Sequence, residues 1–208
     1  MNKIYVVGLG PGHRDYILPI AKKIVLESDV IIGAKRNLNN IDTKGKEIFD
    51  ISLGLKEMIV YIKNNWDIRK IVVVVSGDTG FYSLSDYLKR NLDNRRIKMI
   101  PGISSLQYMF SKVGESWEDA YLCSLHGRNN DFLTAVKENK KVGILTDKVW
   151  NPQKIASELI KNNMKSKIMY VGENLSYETE KIYIGKPEEI VCLEEIDLNV
   201  VVILDEIM

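Results

Sequence analysis

Little in this chain announces a function by itself. In 208 residues there are two cysteines, Cys123 and Cys192, and two histidines, His13 and His126, and none of the four is spaced like metal ligands. Two buried thiols are therefore expected, rather than a disulfide or a metal pair. Charge of one sign is missing too: 29 basic and 28 acidic residues leave a formal net charge of +1. Such a balance gives no reason to expect a nucleic-acid or membrane surface. Long apolar runs are absent, the longest falling far short of the ~20 residues a membrane span needs. Lys3 is followed by only four apolar residues before a glycine loop, too few for a secretory leader, so a cytoplasmic protein is expected. Neither internal repeats nor low-complexity segments occur.

What the chain does have is a succession of short β-branched runs, each closed by a glycine-rich turn. Ile71 to Val75 reads as a buried strand of a parallel sheet, followed at once by Ser76-Gly77-Asp78-Thr79-Gly80-Phe81-Tyr82-Ser83. Loops that leave the carboxyl ends of such strands are where open α/β proteins bind ligands. Lys3 to Val7 is a first strand ending in Gly8-Leu9-Gly10-Pro11-Gly12, with a helix expected from Pro19 and an apolar face of Ile20, Ile24 and Val25. Asp29 to Ile32 is a second strand, running into Gly33-Ala34-Lys35-Arg36, and residues 53–65 show helical spacing at Leu55, Ile59 and Ile62. A helix through Leu84, Tyr87 and Leu88 follows the central loop. Ile97 to Ile100 is closed by Pro101-Gly102-Ile103-Ser104-Ser105, and a helix follows on Leu106, Met109, Phe110 and Val113.

The polar stretch 114–119 marks a domain boundary. Strands are expected at 120–125 and 141–146, a helix capped by Asn151-Pro152, and three late strands near 167–171, 181–185 and 199–204. The fold class expected is α/β, with a mainly parallel sheet over residues 1–113 and an α+β domain with a mixed sheet over residues 114–208. At this length folding buries roughly 70% of the extended-chain surface, so disulfides are not needed for stability.

Gly8-x-Gly10-x-Gly12 after a first strand raises dinucleotide binding. The pattern is G-x-G-P-G, the third fingerprint position falls at His13, and no acid closes the second strand. Lys35 and Arg36 could hold a 2′-phosphate, so an NADP-dependent reductase stays open, as does a tight turn with no ligand.

Taken in order, Gly8 to Gly12, Ser76 to Ser83 and Pro101 to Ser105 resemble the tetrapyrrole methylase family, and Ser124-Leu125-His126-Gly127-Arg128 with Glu173-Asn174-Leu175 resemble its cobalamin-pathway C5-methylating branch. The resemblance implies a two-domain fold with S-adenosylmethionine bound between the domains. It also implies a homodimer and C5 methylation of a (cobalt-)precorrin-6B-type tetrapyrrole to give (cobalt-)precorrin-7. C15 methylation and decarboxylation are expected on a separate polypeptide. By the family's pattern Pro11, with Gly10 and Gly12, floors the crevice near both ligands. Ser76, Gly77 and Asp78 face the cofactor with Phe81 packed beside it, and Ser104 and Ser105 bond its polar end. Leu145-Thr146 and Glu173-Asn174 close over the adenine. Arg36, His126 and Arg128 are the cations for substrate carboxylates, with Arg14 and Lys35 behind them, and His126 doubles as a candidate base. Two positions depart from the pattern: Thr79 stands where proline usually follows Gly-Asp, and Leu18-Pro19 lacks the usual threonine. Uroporphyrinogen, diphthine or ribosomal-RNA ribose methylases would share the glycine loops. A non-catalytic domain that keeps the fold and regulates a partner is a third class.

Overall fold

The computed structural model describes residues 3–125, 127 and 131–206. Two compact units divide the chain, Met1–Ser104 and Ser105–Met208.

In the first unit five strands, β1 (Ile4–Gly8), β2 (Val30–Gly33), β3 (Glu47–Asp50), β4 (Ile71–Val75) and β5 (Ile97–Ile100), form one sheet in the order β3-β2-β4-β1-β5. Every pairing is parallel. The helices are α1 (Pro19–Leu26), α2 (Lys35–Leu38), α3 (Leu55–Asn65) and α4 (Ser85–Asn91). β4 is buried at all five positions because it lies between two neighbours and both its faces are covered. Its period of two divides the core. Ile71, Val73 and Val75 pack with Met58 and Ile62 of α3 and Leu88 of α4, while Val72 and Val74 pack with Ala21 and Val25 of α1.

Pro19 opens α1 as expected, but the buried face is Ala21 and Val25, and Ile20 is exposed. β3 and α2 escaped the sequence reading. Glu47-Ile48-Phe49-Asp50 is an edge strand with no fully buried residue, so it carries no apolar run to recognise.

The second unit contains α5 (Ser105–Val113), β6 (Tyr121–Ser124), α6 (Phe132–Glu138), β7 (Lys141–Leu145), α7 (Pro152–Lys161), β8 (Ile168–Glu173), β9 (Lys181–Gly185), α8 (Pro187–Ile190) and β10 (Asn199–Leu204). The sheet order is β6-β7-β10-β8-β9, with β6 and β7 parallel and the other pairs antiparallel. This is the mixed sheet expected. α5 packs across it: Leu106 and Phe110 lie over Gly143, and Met109 lies over Gly172, where a side chain would leave them no room. That contact puts the division between the units at Ser104/Ser105, ahead of the boundary expected after residue 113. α7 carries the expected cap, with the Asn151 side chain accepting from Lys154 N at 2.8 Å.

Cys123 sits in the core of this unit and burial raises its thiol pKa to about 11. Cys192, just past α8, is exposed, which corrects the expectation of two buried thiols; both are free. Among the described residues no helix is long and apolar enough to cross a membrane.

Candidate active site

All five strands of the first sheet end at one edge, and β1 and β4 are neighbours whose outgoing connections leave in opposite directions, β1 toward β2 and β4 toward β5. A crevice at that edge is the general ligand position of such sheets. Here it is built by backbone against backbone. Leu9 N donates to Val75 O at 2.9 Å, Gly10 N to Gly77 O at 3.2 Å, and Gly77 N to Gly10 O at 2.8 Å. Gly10 and Gly77 both have positive φ, 80° and 63°. A third loop closes in from β5, so tightly that a Cβ on Gly102 would lie 2.2 Å from Gly77 O, and one on Gly8 2.6 Å from the same oxygen. Asp78 completes the lock: Oδ1 accepts from Gly80 N at 2.7 Å and Oδ2 from Gly102 N at 3.1 Å. Sequence reading aimed this acid at a cofactor; the structure shows both its oxygens holding the loops together.

The same contacts answer the dinucleotide question. The N–H groups of Leu9 and Gly10 bond to the β4 loop, and α1 opens only at Pro19, after a single 3₁₀ turn at Arg14–Tyr16. The glycines serve loop-to-loop contact, not a pyrophosphate at a helix start.

Around this floor stand the other residues singled out from sequence. Ser76 Oγ donates to Asn37 Oδ1 at 2.8 Å and accepts from Arg36 Nη2 at 3.2 Å, so two residues assigned to different ligands meet. Asn40 Nδ2 donates to Gly12 O at 2.9 Å, tying the loop of Pro11 and Gly12 to the turn after α2. Phe81 meets Tyr82 edge-on, 4.8 Å between ring centroids. Tyr82 has φ +47°, an uncommon backbone for a bulky residue, and such strain gathers at ligand-facing loops. Thr79 is buried, and its carbonyl accepts from Ser83 Oγ. Ser104 is buried, and Ser105 opens α5.

The second sheet gathers its own set. β7 and β8 are both antiparallel to β10, and β6 is parallel to β7, so Ser124, Leu145 and Glu173 lie at one edge, with Asn199 opening β10 beside them. Side chains hold this edge. Thr146 Oγ1 is 2.6 Å from Asn199 O and 2.7 Å from Asn199 Oδ1. Glu173, buried, accepts from Asp197 N at 2.9 Å through Oε1 and from the Tyr183 hydroxyl at 2.9 Å through Oε2, which raises the tyrosine's pKa. Asn174 has φ +47°, donates its N–H to Leu198 O at 2.8 Å, and is followed by Ser176 at φ +67°. His126 and Arg128 lie outside the described residues. Gly127 has φ +62°, and its N–H donates to Asp147 Oδ2 at 3.1 Å, while Asp147 Oδ1 caps Val149 N and Trp150 N at 2.9 and 2.7 Å. Asn37, Asn40, Asp147, Tyr183 and Asn199 were missed from sequence. Each reaches its partner at the rim across at least ten residues of chain, where no local pattern points to that partner. Only Gly102 had a signal, its place in the turn after β5.

The family model for tetrapyrrole (corrin/porphyrin) methylases matches residues 3–191, and the chain belongs to that family. It is 34% identical over 201 residues to the cobalt-precorrin-7 C(5)-methyltransferase of Salmonella typhimurium, covering 97% of this chain and 98% of that protein. It is 39% identical over 196 residues to the probable cobalt-precorrin-7 C(5)-methyltransferase of Methanocaldococcus jannaschii, covering 90% of each. The fold matches uroporphyrin-III C-methyltransferase from Thermus thermophilus, solved with S-adenosyl homocysteine, at a TM-score of 0.77 and 16% identity, over 97% of this chain and 92% of that one.

Proposed function

We propose that this protein is an S-adenosylmethionine-dependent methyltransferase that methylates C5 of a (cobalt-)precorrin-6B-type tetrapyrrole to give (cobalt-)precorrin-7. The observation that carries the reading is end-to-end identity at 34% and 39% with two proteins named for that activity.

The residues fit the cofactor chemically. A sulfonium donor brings its own electrophilic methyl, so the chain has only to bind, orient and exclude water, which for well-aligned reactants is worth roughly 7–11 kcal/mol. The first rim offers a rigid backbone floor with Pro11 and Phe81 as apolar surface, and Ser104 and Ser105 as polar partners for the amino-acid end. The second rim offers Leu145, Thr146 and Asn174 for the adenine, with Glu173 holding that edge in shape. Arg36 and Arg128 are assigned to the carboxylates of the acceptor, and His126 to proton removal from the methylated carbon. We assign C15 methylation and decarboxylation to a separate polypeptide, and the working form to a cytoplasmic homodimer.

Calorimetry with S-adenosylhomocysteine and with NADPH tests the class: the first is expected to bind and the second not. Turnover of cobalt-precorrin-6B with methyl-labelled cofactor is expected to place the label on C5 by NMR. Label at another carbon would move the chain to another methylase of the fold, and NADPH binding would make it a reductase.

A further inference from the structure

Ser76 was read from sequence as a cofactor ligand, yet its hydroxyl is engaged elsewhere. The proton goes to Asn37 Oδ1 at 2.8 Å, and a lone pair accepts from Arg36 Nη2 at 3.2 Å. A serine hydroxyl has one proton to give, and Asn37 takes it. The oxygen is thereby turned so that its lone pair meets the guanidinium. Arg36 is exposed, on a four-residue helix, and among the described residues no carboxylate pairs with it. Left alone, so long a side chain samples many rotamers; held at Nη2, it keeps its remaining donors in one orientation at the carboxyl edge of β2 and β4. The backbone beneath it is fixed as well, because Asn40 bonds to Gly12 O at 2.9 Å.

We propose that Ser76, oriented by Asn37, is a positioning residue for Arg36, and that Arg36 so held receives a peripheral carboxylate of the tetrapyrrole acceptor. The inference rests on the methyltransferase reading and gives the Ser76 hydroxyl a role toward the acceptor. A planar guanidinium with one edge tethered presents the others for paired hydrogen bonds to a carboxylate, which a freely rotating arginine does less selectively.

The test is steady-state kinetics with cobalt-precorrin-6B and S-adenosylmethionine, together with calorimetry of S-adenosylhomocysteine. Ser76→Ala and Asn37→Ala are each expected to raise KM for the acceptor roughly three- to tenfold, the net effect of one hydrogen bond, with kcat and S-adenosylhomocysteine affinity within about twofold of wild type. Ser76→Thr, which keeps the hydroxyl, is expected to restore KM. In an Arg36→Gln background Ser76→Ala is expected to add nothing, since the group it positions is gone. Additive effects in the double variant, or an equal loss of S-adenosylhomocysteine affinity in Ser76→Ala, would overturn the relay while leaving the methyltransferase reading intact. A wild-type protein that binds no S-adenosylhomocysteine would overturn both.

Discussion

The rims of the two sheets are held together by different means. In the first, glycines let three loops touch backbone to backbone, with Gly77 O at the centre of the contacts from Gly8, Gly10 and Gly102. In the second, side chains bridge the strand ends: Glu173 to Tyr183 and Asp197, Thr146 to Asn199, Asp147 to Gly127. Backbone contacts have no rotamers with which to absorb a change, whereas side-chain bridges can be removed one at a time. The first rim is therefore a fixed floor, and the second can be adjusted in parts.

The sharpest way to break this contrast is Gly102→Ala. Its Cβ would meet the Gly77 carbonyl at 2.2 Å and Gly8 C at 2.8 Å, all backbone. Overpacking a site that cannot yield costs ~1–3 kcal/mol or more, and each kcal/mol lowers Tm by about 2–4 °C in a protein of this size. S-adenosylhomocysteine affinity is expected to fall as well, since the floor must open. Gly45→Ala is the control: φ there is +72° but nothing lies within 4 Å of the added carbon. Only the left-handed backbone cost of ~1–2 kcal/mol applies, and ligand affinity is expected to hold. Equal losses of affinity in the two variants, measured by calorimetry, would mean that the first rim is no more rigid than an ordinary turn.

On the second rim Glu173→Ala is expected to act locally. It leaves the Tyr183 hydroxyl and the Asp197 N–H, both only partly shielded from water, without their acceptor, so a modest drop in Tm is expected. Glu173→Gln keeps one oxygen for Asp197 N and offers an N–H to the tyrosine oxygen, so a smaller drop in Tm is expected. Equal drops in Tm for the two variants would show that the negative charge, which both lack, holds the edge rather than the hydrogen bonds.

The contrast also explains what could be read before the structure was seen. β4 was legible to the residue, because a strand buried on both faces must be apolar throughout, and the capped start of α7 was equally plain. The glycine loops were legible as loops, yet their purpose was not: Gly8 to Gly12 resembles a phosphate turn until Gly77 and Gly102 are seen to fill the space beside it. Asp78 stood out as a charge beside the glycines, but a sequence cannot show that Gly102 N also lies 3.1 Å from its carboxylate. The partners of the second rim were least visible, since Asp197, Asn199 and Tyr183 carry no motif and meet Glu173 and Thr146 only through β-pairing register. That α5 groups with the second unit was hidden for a similar reason. Its apolar face was correctly read, but nothing local says that Gly143 and Gly172 are what it covers.

The smallest expected effect concerns the turn after β8. Glu180 accepts from Ser176 N at 2.5 Å through Oε2 and pairs with Lys112 of α5 at 2.8 Å through Oε1. Burial by itself would raise the Glu180 pKa, but the bonds from Lys112, Ser176 N and Tyr108 outweigh it and hold the pKa below the ordinary 4.5. Lys112 is correspondingly shifted up from 10.5, chiefly by its hydrogen bond to Glu180. A carboxylate with a lowered folded pKa stabilises the protein above its unfolded value, and that stability is lost as pH falls through the folded one. The raised lysine contributes below 10.5 and loses its contribution as pH rises through its folded value. Between those limits the pair is fully formed. Lys112 is 40% exposed, so solvent screening limits the pair to about 1 kcal/mol or less. In Lys112→Met the first of the bonds that hold the Glu180 pKa down is gone, while those from Ser176 N and Tyr108 remain, so the acid-side loss shrinks. The Tm gap between wild type and variant is thus expected to be widest at neutral pH and to close as pH drops below 4.5. A gap that stays constant from pH 7 to pH 3 would assign Lys112 a packing role through its aliphatic stem. The turn carrying Asn174 and Ser176 would then owe its shape to α5 by contact rather than by charge.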